Sequence, residues 1–280
     1  MTAIRPAAAK AHVIRPRRGR AGLDLATLWS YRELIYFFVW RDIKVRYRQT
    51  VLGGLWAILQ PFVTMVIFSV VFGRLAGISS DGLPYPIFAF TALLPWTLFA
   101  TGVSQAANSL VGHQNLLKKV YFPRLALPVG AVVTGLVDLA FASLVLGGMM
   151  VVYDIPLSPT AFLVMPLILL DLVTALGVGL WFAALNVRYR DMRYVVPFVL
   201  QAWLFLTPVA YSSSLIDQPW RTLYAINPTV GVVEGVRWAL LGADTAPGPL
   251  VAVSTAAALL ILAGGWYYFR QVEGTFADVV

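Results

Sequence analysis

Two carboxyl groups, Asp138 and Asp171, fall inside long apolar runs. An ionisable group at a bilayer centre costs at least ~2.5–3.5 kcal/mol, so each needs a reason to be there. The functional reading is a proton relay. The structural reading is a carboxylate that faces a helix bundle, bonded to Ser, Thr or Trp groups or kept protonated. No Lys or Arg lies deep in a true span to pair with either of them. Glu234 and Arg237 form a second candidate pair: spaced i, i+3, they meet on a helix and would close or line the outer mouth of a pore, with simple surface exposure as the alternative.

Catalytic and nucleotide motifs are missing. The chain has no G-x-x-x-x-G-K-[ST], so it does not bind ATP through a P-loop, and it has no G-x-S-x-G or H-E-x-x-H. Zero cysteines exclude disulfides, thiolate metal sites and cysteine nucleophiles. Two histidines, His12 and His113, do not make a histidine-rich metal site. If this chain takes part in active transport, the energy comes from an ion gradient or from another polypeptide.

Aromatic rings are the remaining chemistry: nine Trp, 12 Tyr and 16 Phe. Trp29, Trp40, Trp266, Tyr267 and Tyr268 fall where interface belts would put them. Trp56, Trp96, Phe99, Trp181, Trp203, Phe205 and Tyr211 lie within or at the edges of apolar runs. Ring faces are flat and apolar, so a wall of them suits the C–H faces of a long glycan better than an ion. Belt or core packing is the alternative for each.

The elements that would position these groups follow from composition. The 280 residues are 59% hydrophobic and 12% charged, with mean hydropathy +0.77. A soluble domain carries about twice that charge fraction. A helix needs about 20 apolar residues to span the hydrocarbon core, and six runs qualify, at about 54–73, 86–107, 127–152, 161–185, 194–212 and 250–269. Eighteen of the 21 Lys and Arg residues then fall on one side, leaving only Arg74, Arg221 and Arg237 on the other. Lys/Arg excess marks the cytoplasmic face, so both termini are expected inside. The net charge of +8 belongs beside anionic headgroups rather than nucleic acid.

Three segments outside the spans stand out. Residues 1–22 are basic and lack acids and an apolar core, and read as a disordered cytoplasmic tail rather than a secretory signal. Residues 23–50 read as an amphipathic interface helix, beginning at Asp24 or at the Ser30-x-x-Glu33 capping box. Leu25, Leu28, Trp29, Ile35, Tyr36, Val39, Trp40, Ile43 and Tyr47 fall near one face, and Arg41, Asp42, Lys44, Arg46 and Arg48 mostly on the other. Residues 219–242 are apolar but broken at Asn227-Pro228 and charged at Glu234 and Arg237. They read as a pair of re-entrant half-helices between the fifth and sixth spans, which protein or a water-filled cavity must cover. The expected fold of residues 51–280 is thus an all-α integral membrane domain of six transmembrane helices.

Two basic loops face the expected inside. Asn108–Arg124 reads as a helix leaving the membrane and stopped before Pro123, and Asn186–Arg193 carries three arginines. Leu116, Leu117, Val120, Tyr121 and Phe122 exposed to cytosol would be costly without a covering protein. That favours a docking site over the usual meaning of such runs, a solvated positive loop.

The assembled pattern resembles the ABC-2 type permeases that export polysaccharides. It is carried by Arg41–Trp56 (RDIKVRYRQTVLGGLW) with Gln60-Pro61, Lys118–Arg124 (KKVYFPR), Asn186–Asp191 (NVRYRD), Thr207-Pro208-Val209, Asn227-Pro228 and Val272–Val279 (VEGTFADV). The resemblance runs from about Leu25 to the end. It implies a homodimer of six-helix subunits enclosing one channel, with two copies of a separate ABC ATPase that binds ATP and Mg beneath. It also implies export of a lipid-linked O-antigen, capsular polysaccharide or teichoic acid across the inner membrane. By the same resemblance, Arg41, Lys44, Arg46 and Arg48, with Leu116, Leu117, Lys118, Lys119, Tyr121, Phe122 and Arg124, would contact the ATPase. Trp220, Asn227, Pro228, Glu234, Arg237 and Trp238 would belong to the outer gate. Rival readings are an ABC-2 exporter of lipids or drugs, and a proton-coupled transporter in which Asp138 or Asp171 titrates.

Overall fold

The computed structural model describes residues 25–48, 53–120, 122–242 and 247–276. The basic tail 1–22 and Tyr121 lie outside the described residues. Among them all regular structure is helical: α1 (Leu25–Ser30), α2 (Arg32–Arg48), α3 (Leu55–Phe68), α4 (Tyr85–Gly112), α5 (Gln114–Lys119), α6 (Ala126–Val152), α7 (Val164–Arg188), α8 (Met192–Phe205), α9 (Trp220–Tyr224), α10 (Pro228–Leu241) and α11 (Pro249–Val272). A π-helical turn, Ser69–Leu75, extends α3, and a 3-10 turn, Pro159–Leu163, leads into α7.

Five of these helices are long and apolar enough to cross a membrane: Leu55–Leu75, Tyr85–Gly112, Ala126–Val152, Pro159–Arg188 and Pro249–Val272. They coincide with five of the six expected runs. The sixth run, 194–212, differs. Its helix α8 has 14 residues, about 21 Å at 1.5 Å per residue, against a hydrocarbon core of ~30 Å. The helix ends at Phe205, and Pro208 disfavours helical backbone at Thr207 just before it.

Helix α4 is the axis of the bundle, packing against α7, α6, α10 and α3. Small residues set how closely the helices approach, as membrane bundles require. A Cβ at Gly179 would fall 2.6 Å from that of Ala106, and one at Gly177 would fall 2.8 Å from the backbone nitrogen of Leu262. Leu28 and Phe276, near the two ends of the described residues, come together on what we term the basal side. There Phe38, Leu117, Phe122, Leu180, Trp266, Phe269 and Phe276 form one apolar cluster. On the opposite, apical side lie α9, α10 and the segments 76–84 and 206–217.

The expected interface helix is two pieces, with a break at Tyr31. Its apolar residues divide between two faces. Leu28, Leu34, Ile35 and Phe38 pack inward on the basal cluster, whereas Trp29, Tyr36, Phe37 and Trp40 are exposed. Helix α2 lies lengthwise along α6, close enough that a Cβ on Gly130 would meet that of Phe38 at 3.4 Å.

Candidate transport site

The apical site is built around the non-helical turn after α8. Leaving the helix frees carbonyls that must find protein donors if no water reaches them, and Arg237 supplies donors to two of these. Its side chain is 2% exposed. Nη2 donates to the Val209 carbonyl at 2.7 Å, Nη1 to the Tyr211 carbonyl at 3.3 Å, and Nε to the Phe88 carbonyl at 3.2 Å. The guanidinium also stacks over the Phe88 ring, 3.6 Å from its centroid, a favourable cation–π placement. The i, i+3 pair expected from the sequence forms, with Nη1 3.2 Å from Glu234 Oε1, and Glu234 accepts from the Ser213 amide at 3.1 Å. Arg237 is therefore an internal brace between α10, α4 and the turn, rather than a charge lining the mouth. Only a guanidinium offers five donors in a fixed fork.

Asn227 braces the same turn from below. It is the N-cap of α10, its Oδ1 accepting from the Thr229 amide at 3.2 Å, with Pro228 at the first helical position and Gly242 closing the far end at φ +64°. Its Nδ2 donates to the Leu206 carbonyl at 2.7 Å, and Trp203 Nε1 donates to its Oδ1 at 2.8 Å. Tyr85 OH donates to the Ala210 carbonyl. Asp81 accepts from Ser212 Oγ, and from Ser214 Oγ at 2.8 Å. Of the other residues expected at the gate, Trp220 is exposed and Trp238 is half-buried in the α7–α10–α11 contact.

The aromatic residues expected to share one lining are dispersed. Phe99 is wholly buried and Trp96 is 7% exposed, both in the main core. Trp203 packs edge-on against Phe99, centroids 5.1 Å apart. Tyr211 OH is engaged with Tyr224 OH at 2.7 Å. Trp181 stacks on Tyr268 at 5.0 Å. Trp56 and Phe205 do present open rings. Phe205 continues a stripe on α8 with Tyr194, Phe198 and Gln201, all exposed along one face while Val196 and Leu200 are buried on the other. That spacing of three to four residues was readable in the sequence.

The basic residues of α2 and of 116–124 separate into two groups. Lys118, Lys119 and Val120 are exposed, as are Lys44 and Arg48. Leu117 and Phe122, expected to face the cytosol, are instead buried in the basal cluster, with Phe122 5.6 Å from Phe38. Arg124 is half-buried, its guanidinium over the Phe276 ring, and Leu116 is half-buried. Arg41 turns inward: it pairs with Asp42 at 2.8 Å and donates to His113 Nε2 at 2.5 Å. Arg46 turns inward as well and forms a salt bridge with Asp138, whose other oxygen accepts from Tyr47 OH. No cation within a span pairs with Asp138, as expected, but α2 carries Arg46 alongside the third span to reach it. Burial first, and then the Asp138 carboxylate, push the Tyr47 phenol up to about 12, so it remains a donor at neutral pH. Asp171 does stand alone: it is 1% exposed and neither oxygen has a hydrogen-bond partner.

Residues 33–241 match the ABC-2 type transporter family. The chain belongs to that family. This ABC-2 protein is 33% identical over 264 residues to the O-antigen export system permease protein RfbA of Myxococcus xanthus, covering 90% of the chain and 97% of that protein. It is 23% identical to the protein of the same name from Klebsiella pneumoniae, over 89% of the chain and 95% of that protein. It is 25% identical to the polysialic acid transport protein KpsM of Escherichia coli, over 72% of the chain and 78% of that protein. The ABC-2 match spans α2 to α10, and so takes in both the Asp138 pairing and the Arg237 brace. Sequence reading missed the first because Arg46 and Asp138 are 92 residues apart. It found the Glu234–Arg237 pair by spacing alone, but not the three carbonyls that hold Arg237.

Proposed function

We propose that this chain is the membrane permease subunit of an ATP-driven exporter that moves a lipid-linked polysaccharide of the O-antigen kind out of the cytoplasm. The observation that carries this reading is the match to the Myxococcus xanthus O-antigen permease across nearly the whole length of both chains. The Lys/Arg distribution supports an inner-membrane setting with both termini cytoplasmic. In that setting α8 and the turn after it complete a sixth crossing, and α9 with α10 form the re-entrant outer gate. The subunit works as a homodimer with two copies of a separate ABC ATPase, which binds ATP and Mg.

Two surfaces fit this work. Lys118, Lys119 and Val120 remain open on the basal face for the ATPase. The exposed rings Tyr194, Phe198 and Phe205 on α8, with Trp56 on α3, form apolar faces suited to a glycan passing between two copies. Removing the chain from a cell that makes the polysaccharide should clear it from the surface and accumulate lipid-linked glycan inside. Surface polysaccharide at its normal amount, measured by glycan staining of intact cells, would sink the reading.

A further inference from the structure

Asp138 is the thirteenth residue of α6, about 18 Å along the helix from Ala126. Its side chain is 14% exposed, and both oxygens are taken by one neighbouring element: Arg46 holds Oδ2 and Tyr47 holds Oδ1. Elsewhere α2 meets α6 through apolar side chains and backbone. Ile35, Phe38 and Val39 close on Gly130, and the Tyr47 ring meets Phe141 edge-on at 6.2 Å. Apolar burial is non-directional, so it holds α2 near α6 without fixing how far along α6 it sits. A charged, two-pronged grip on one carboxylate does fix that register. Farther back, Arg41 ties α2 to His113, whose Nδ1 bonds the Ser109 carbonyl at 2.7 Å at the end of α4. Helix α2 is thus anchored at two levels, and the deeper anchor is in the third span.

We propose that Asp138 is a positioning residue: gripped by Arg46 and Tyr47, it makes α2 and the basal half of α6 a single moving body that carries a push from the ATPase into the third span. The proposal rests on the permease reading above but specifies what that reading leaves open, namely which contact delivers the motion.

The test uses the chain co-purified with its ATPase, with and without a non-hydrolysable ATP analogue, followed by backbone hydrogen exchange. In the unaltered complex the analogue should change exchange over both 35–48 and 126–140. Asp138→Asn keeps the side-chain shape and removes the charge; the response over 126–140 should fall about fivefold while that over 35–48 persists. The exchanged pair Arg46→Asp with Asp138→Arg should restore at least half of it. A response in Asp138→Asn equal to the unaltered complex overturns the proposal, as does an exchanged pair that assembles without restoring it.

If Asp138→Asn does not assemble, a second variant decides. The chain contains no cysteine, and a Cβ on Gly130 would lie 3.8 Å from Val39 Cγ2. In Val39→Cys with Gly130→Cys, closing the disulfide should leave the nucleotide response over 126–140 intact, because the two helices travel together. A disulfide that abolishes the response shows that they slide, and the proposal falls. Should cells show no dependence of surface polysaccharide on this chain while the exchange responses follow the pattern above, the cargo reading fails and the positioning role stands.

Discussion

Replacing Arg237 by methionine removes one side chain and leaves four acceptors without their partner. These are the carbonyls of Phe88, Val209 and Tyr211 and the carboxylate of Glu234. Breaking a buried ion pair by removing one partner costs ~3–5 kcal/mol, chiefly because the other charge is stranded. At ~2–4 °C per kcal/mol for a chain of this size, the unfolding midpoint should drop by roughly 6–20 °C. Arg237→Lys puts three donors on a single nitrogen and cannot fork toward carbonyls on separate elements, so it should lose about half as much. Adding Glu234→Gln to Arg237→Met should recover part of the loss, since no bare charge then remains. The assay is a heat scan of the detergent-purified protein, read as the fraction still monodisperse by size exclusion. If Arg237→Met melts within about 2 °C of the unaltered chain, a shift below 1 kcal/mol, the bracing role is wrong.

Two further outcomes follow from packing. Gly177→Ala drives a methyl to within 2.8 Å of the Leu262 backbone nitrogen and should cost ~1–3 kcal/mol by forcing α7 and α11 apart, seen in the same heat scan as a lower midpoint. The aromatic residues should divide by burial. Trp96→Ala, in the core, should lose ~3–5 kcal/mol of stability. Phe198→Ala with Phe205→Ala, both exposed, should change stability by less than about 1 kcal/mol yet lower surface polysaccharide. Equal export in that double variant would remove α8 from the glycan path.

Legibility followed the range of the interaction. Five crossings were readable because each is a local run of apolar residues, and the cap of α10 because Asn227, Pro228 and Gly242 act within their own helix. The Glu234–Arg237 pair was readable for the same reason. At 194–212 hydropathy located the run but not its interruption: the run holds Gln201 and Thr207, and its helix ends at Phe205 after 14 residues. The roles of Trp96 and Phe99 were also beyond local reading, because an aromatic inside a span looks the same whether it faces a pore or a neighbour. On α8 the structure separates the two cases, with Tyr194, Phe198 and Phe205 on one exposed stripe.

The brace on Arg237 also bears on how the chain is made. Every carbonyl that receives this guanidinium, on Phe88, Val209 and Tyr211, comes earlier in the sequence than Arg237 itself. Synthesis runs from the N-terminus, so these acceptors have already left the ribosome when α10 emerges. A lone arginine entering lipid would carry a penalty of at least ~2.5–3.5 kcal/mol; this one arrives to a nest of waiting oxygens. Moving α10 ahead of α4 by circular permutation would reverse that order and leave the arginine unsheltered during insertion.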